Sequence, residues 1–167
     1  VKNILLTGER DNFCVLRKSY RNTVEIANFA SDILAHGEFP GYGAEPVIRH
    51  GEAVGIRQTA GRDLYREAAK ICKGWQTDGF DTIAVICRDQ KQAQETAELL
   101  QKELPVMPWD PEKASFEKGI MVFPVEYTKG LEFDAVLLLS PDRESYPIDD
   151  GHAKLLYVAA TRALHRL

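Results

Sequence analysis

Three clusters in this 167-residue chain hold side chains that could do chemistry. Leu16–Thr23 presents Arg17, Lys18, Tyr20 and Arg21, and Tyr127–Asp134 presents Lys129 and Glu132 around Gly130. Lys154–Ala163 ends on Thr161 and Arg162. A guanidinium fork fits phosphate oxygens bidentately. A flat tyrosine ring suits a base face, and base–aromatic stacking is worth about 1–3 kcal/mol. The chain has no GxSxG, no HExxH, no GxxxxGK[ST] and no Gly-Lys dipeptide. Gly41-Tyr42-Gly43 only begins a GxGxxG and reads as a turn. His36, His50, His152 and His165 lack ligand spacing, so no metal site is expected.

Each candidate also has a structural reading. Tyr20 could pack on its own helix, and Arg21 lies one turn from Glu25, within reach of an ion pair. Arg162 could serve only as a cation near a helix C-terminus, favourable by about 0.3–1 kcal/mol. Lys129-Gly130 reads as a turn opening a short helix, whose N-terminus could face a phosphate. Tyr127 either stacks on a base or packs against a neighbour.

The elements that must position these residues alternate. Ile26, Ala27, Ala30, Ile33 and Leu34 recur at helical spacing after Asn22, and Gly37 and Pro40 end that helix. Val54 to Thr59 is a candidate strand. Leu64, Ala68, Ile71, Cys72 and Trp75 mark a second helix, closed by Thr77-Asp78-Gly79. Thr82 to Cys87 is a strand covered on both faces. Asp89 caps the next helix with Gln92 as partner, and Ala93, Ala97, Leu100 and Leu104 form its buried stripe. A Pro-rich loop surrounds Trp109. Gly119 to Phe123 and Asp134 to Leu139 are further buried strands, and a final helix covers about 152 to 165. This alternation predicts one α/β domain with a parallel sheet. Such sheets bind ligands at the carboxyl ends of their strands, so the chemistry is expected there.

Composition narrows the class. Hydrophobic residues are 44% and charged residues 28%, with net charge −4. Residues 1–84 carry 11 basic and 11 acidic side chains and 85–167 carry 10 and 14, which excludes a basic nucleic-acid glue. No apolar run approaches a membrane span, and no signal segment opens the chain. Cys14, Cys72 and Cys87 are odd in number and widely spaced, which fits a reducing cytoplasm. The start at Val1 and the stop at Leu167 inside a helix-like pattern predict a piece of a longer chain.

Taken in order, the three clusters resemble motifs four, five and six of superfamily 1 helicases of the UvrD/Rep type. Ile83-Ala84-Val85-Ile86-Cys87-Arg88 resembles the strand between motifs four and five, and the likeness spans about residues 12 to 166. Pro124-Val125-Glu126-Tyr127-Thr128-Lys129-Gly130-Leu131-Glu132-Phe133-Asp134 is most similar to the HelD, or DNA helicase IV-like, branch. The resemblance implies that 1–167 is the second RecA-like domain, a P-loop NTPase-like α/β fold with helices on both faces of a parallel sheet. The P-loop itself and the Mg²⁺ ligands for ATP would lie on an N-terminal RecA-like domain. It further implies that Tyr20 stacks on adenine, that Arg21 and Arg162 reach the γ-phosphate, and that Gly130 and Glu132 meet the nucleotide, Glu132 at the ribose. Thr161 would order the nucleotide face or merely cap a turn. Single-stranded DNA would run past Tyr127, Thr128 and Lys129.

The sequence departs from that pattern in places. Pro124 and Glu126 stand where typical members have the Thr and His that touch the nucleic-acid backbone, and a carboxylate cannot donate to a phosphate. Asp89-Gln90 replaces the commoner Ser-Asn after Arg88. Only 38 residues separate Arg88 from Tyr127, so the large inserted domain of UvrD and Rep is absent or reduced. The implied activity is that of an ATP-dependent DNA helicase or translocase, inactive as this fragment alone. The alternative implied by the HelD likeness is an ATP-switched factor that remodels RNA polymerase.

Overall fold

This computed structural model describes residues 18–19, 22–36, 45–46, 49–59, 61–110 and 118–167. Tyr20, Arg21, Gly37, Pro40, Gly41, Gly43 and Cys14 lie outside the described residues. The first half forms β1 (Lys18–Ser19), α1 (Val24–His36), β2 (Glu45–Pro46) and α2 (Arg62–Thr77). The second half forms β3 (Thr82–Cys87), α3 (Gln90–Leu100), β4 (Met107–Pro108), β5 (Gly119–Pro124) and β6 (Phe133–Leu138). It closes with α4 (Asp150–Ala160) and β7 (Ala163–Arg166), and a 3₁₀ turn occupies Val125–Thr128. All pairings are parallel: β1 with β2, and a five-stranded sheet in the order β4-β5-β3-β6-β7.

The central strand shows why the apolar run had to be covered on both sides. Ile83, Val85 and Cys87 join Ala68, Cys72, Ala93, Ala97 and Leu100 in the core beneath α2 and α3. Ala84 and Ile86 point the other way and join Ile26 of α1 and Ala159 of α4. Side chains alternate across a strand, so one hydrophobic run builds two cores. The fold is the α/β parallel sheet with helices on both faces that the sequence predicts.

Register is fixed at the amino ends of β3 and β6 by Asp134. Its Oδ2 accepts from the Asp81 and Thr82 backbone N–H groups and from the Thr82 hydroxyl at 3.0, 2.9 and 3.0 Å. Asp89 caps α3 as expected, accepting from Gln92 N at 2.9 Å. The Gln92 side chain reaches past Asp89, however, and accepts from Arg88 N at 2.7 Å.

Three expectations give way. The last helix stops at Ala160, and residues 163–166 form β7 against β6, with Phe133 opposite Ala163. Ala159, Ala160 and Ala163 suit either a helix stripe or a strand, and the open edge of β6 decides for the strand. Leu167 therefore follows a strand, not a helix. Val54–Thr59 is extended but unpaired along its length, although Gly55 N donates to Leu167 O at 3.0 Å. Finally, the Pro-rich loop contains the edge strand β4, where Pro108 is tolerated because an edge leaves one side unpaired.

The other edge, β7, is shielded by residues 49–55. Arg49 Nη2 donates to Leu164 O, Glu52 pairs with Arg166, and Gly55 binds Leu167. Covering an edge this way blocks pairing with other chains.

Candidate nucleotide-facing site

The turn between α4 and β7 carries Arg162, and local chemistry sets its shape. The Thr161 hydroxyl lies 2.9 Å from Tyr157 O and 3.0 Å from Val158 O, within donating distance of both, so this threonine closes the helix. Arg162 then folds back along α4: its Nε donates to Val158 O at 3.0 Å, and Nη2 donates to the Thr161 hydroxyl at 3.3 Å. Nη1 crosses to Leu131 O at 3.2 Å, just ahead of Glu132. The Phe133 N–H returns a bond to Arg162 O at 3.0 Å. Leu131 and Arg162, 31 positions apart, are thereby tied into one corner.

A third element joins them. Asn22 is buried, and its Nδ2 donates to Thr161 O at 3.0 Å and to Ala163 O at 2.7 Å. Thr23 caps α1 through its hydroxyl and Ile26 N, 3.4 Å apart. Thr23 also packs so tightly on Gly51 that a Cβ there would sit 2.7 Å from its methyl. Glu25, one turn on, accepts from Gly51 N at 2.8 Å and His50 Nδ1 at 3.0 Å. Those bonds, the Gly51 N–H first, hold its carboxyl down at about 2. Glu25 is thus engaged by residues 50–51, and Arg21, the partner considered from the sequence, lies outside the described residues.

Among the predicted site residues, the structure brings Arg162 together with the segment of Gly130 and Glu132. Glu132 is half-buried between the two residues that contact Arg162. Gly130, at φ 82°, takes the left-handed position of a type II turn closed by Leu131 N to Thr128 O at 3.0 Å. The 3₁₀ turn precedes Lys129-Gly130, so no helix opens there and no helix N-terminus faces a phosphate. Tyr127 and Lys129 are exposed, but Thr128 is buried and its hydroxyl donates to Val125 O at 2.7 Å. Tyr127 packs on Trp109, with ring centroids 4.0 Å apart.

The corner also lies at the amino ends of β6 and β7, opposite to where parallel sheets usually take ligands. The carboxyl ends hold a separate polar network that the motifs did not flag. Arg88 Nε donates to Ser145 O at 3.1 Å, and its Nη2 lies 3.1 Å from His152 Nε2, over the Tyr146 ring. The Asp149 carboxylate caps α4 by accepting from His152 N–H, and its Oδ2 lies 2.6 Å from His152 Nδ1; these bonds, the backbone one first, lower the Asp149 pKa. With Nδ1 protonated toward Asp149, Nε2 is left to accept from Arg88. Burial pushes the Tyr146 phenol to about 12.

Among the described residues no three His, Cys, Asp or Glu are grouped to hold a metal ion. No helix among them is long and apolar enough to cross a membrane.

A parallel five-stranded sheet with helices on both faces is a RecA-like α/β fold. Residues 119–167 match the model of the UvrD-like helicase C-terminal domain family. The whole fold is similar to the C-terminal domain of a possible DNA helicase from Lactobacillus plantarum WCFS1. That likeness has 26% identity and a TM-score of 0.61, covering 89% of this chain and 84% of that one. No curated protein matches.

Proposed function

We propose that this chain is the second motor domain of an ATP-dependent DNA helicase or translocase, and that it completes an ATP site whose other half is an N-terminal RecA-like domain of the same protein. The observation that carries this reading is the corner at Arg162. Val158 O and Leu131 O fix the plane of the guanidinium, and Asn22, which follows Arg21 in the chain, is bonded to the same turn. On this reading Arg21 and Arg162 act on the same phosphate, where they stabilise charge on the transferred phosphoryl group. Tyr20 supplies the adenine stack and Glu132 the ribose contact. The Mg²⁺ that accompanies ATP would be held by the partner domain.

At 3.3 Å the Thr161 hydroxyl is farther from the guanidinium than Val158 O and Leu131 O are, and it already faces two helix carbonyls. It is the contact that yields most easily when the fork turns toward a phosphate. Closure of the two domains on ATP and reopening after hydrolysis would move single-stranded DNA across both.

In the intact protein, Arg162→Ala lowers ATP turnover by about 10³-fold or more while weakening nucleotide binding far less. Turnover near wild type in that variant overturns the assignment. Measuring whether single-stranded DNA or RNA polymerase raises the ATPase rate separates the motor from the remodelling factor. The purified 167-residue chain alone is expected to hydrolyse no ATP.

A further inference from the structure

At the carboxyl end of β5 the chain builds a small aromatic platform that the nucleotide corner does not use. The 3₁₀ turn sets Glu126 and Tyr127 side by side on the surface, β4 leads into Trp109, and the first turn of α3 brings Gln90. Trp109 stacks on Tyr127 with 30° between the planes. Gln90 Nε2 donates to the Tyr127 hydroxyl at 2.8 Å and to Glu126 Oε1 at 3.3 Å. The tyrosine is therefore held at its face and at its tip, yet it remains 41% exposed. A large ring fixed in advance and left open to solvent loses little side-chain freedom when something stacks on it.

We infer that this platform takes an unstacked nucleobase from a single strand, with Tyr127 as the stacking face and Glu126 as the selecting group. This deepens the single-stranded DNA reading above and rests on it. Glu126 can only accept, so it does not suit a phosphate oxygen, and thymine's one donor, N3–H, lies between two carbonyl oxygens that repel a carboxylate. Glu126 suits the exocyclic amino group of cytosine, adenine or guanine. Lys91 and Lys129, both exposed, lie one residue from Gln90 and two from Tyr127, where they can meet the strand's phosphates. The departure of Glu126 from the usual histidine thus changes what is contacted. A group that would have held the backbone is replaced by one that reads a base.

The experiment is fluorescence anisotropy of the 167-residue chain with end-labelled oligo(dC) and oligo(dT) of equal length, with thermal melts confirming that each variant folds. Oligo(dC) is expected to bind about fivefold to tenfold more tightly than oligo(dT). Tyr127→Ala weakens both by about tenfold or more, and Tyr127→Phe retains most of the affinity. Glu126→Gln removes most of the preference for oligo(dC). Wild-type affinity in Tyr127→Ala, or an unchanged preference in Glu126→Gln, overturns the platform and leaves the motor reading standing. Absence of binding to either oligonucleotide also overturns the platform. The motor reading is judged separately, by the ATPase of Arg162→Ala in the intact protein.

Discussion

Replacing Asn22 by alanine tests whether the arginine turn is held by the start of α1. The side chain is only 6% exposed and makes two bonds across the fold, one to Thr161 O in a part-buried setting and one to Ala163 O in a buried one. Losing a bond whose acceptor can be rewetted costs about 1 kcal/mol, and orphaning a buried carbonyl costs about 1–2 kcal/mol more. The sum, about 2–3 kcal/mol, corresponds to a fall in Tm of roughly 5–10 °C for a domain of this size. Asn22→Asp should be worse, because a carboxylate would face two carbonyl oxygens with no proton to offer. Thermal and urea melts give the energies, and amide exchange at Phe133, whose N–H binds Arg162 O, reports the turn itself. If Asn22→Asp melts with wild-type protein and the Phe133 amide stays protected, the turn is held by something else.

Other consequences are as direct. The Glu25 pKa is depressed to about 2 from 4.5, so its contribution to stability is full above pH 4.5 and is lost as pH falls toward 2. Glu25→Gln should flatten the acid limb of a stability–pH curve in that window, and an unchanged limb would count against the Gly51 bond. Burial pushes the Cys72 and Cys87 thiols up to about 12, so in a Cys14→Ser background neither should react with Ellman's reagent at pH 8 until denaturant is added. Immediate labelling of native protein would contradict the packing of β3 and α2. Gly130→Ala meets no atom within 4 Å, but its φ of 82° makes the strain purely backbone. A loss of about 1–2 kcal/mol is expected in urea melts, and a neutral result would refute the type II turn.

What could be read from the sequence was local. Asp89 three residues before Gln92, and the unbroken run from Ile83 to Cys87, each find their main partner within a turn or a neighbouring strand. Thr161 was legible as a turn cap for the same reason. Asn22 was not, because an asparagine before a helix looks like an ordinary cap, whereas its partners lie 139 and 141 residues away. β7 was hidden differently. Its alanines continue the period of α4, and nothing in the local pattern announces that β6 has an edge to fill. Family resemblance named Arg162 and Glu132, whose segments the fold brings together at the amino ends of β6 and β7, opposite to the end that the general rule for parallel sheets favours.

That reversal has a mechanical consequence. On the motor reading, nucleotide meets the amino ends of β6 and β7, and a nucleic-acid strand meets the carboxyl end of β5, so the two events occur on opposite rims of one sheet. The β3 strand between them is fully buried from Ile83 to Cys87 and has little room to deform. The segment 125–132 runs over the outside instead, from the Tyr127 platform to the Leu131 carbonyl that holds Arg162. Its inner side is pinned by the buried Thr128 hydroxyl on Val125 O, and its one left-handed residue is Gly130. Any signal between base and phosphate through this domain therefore has a short covalent route, four residues from Tyr127 to Leu131. The type II turn sits in the middle of that route, which gives a physical reason for glycine at 130 beyond the geometry of the turn.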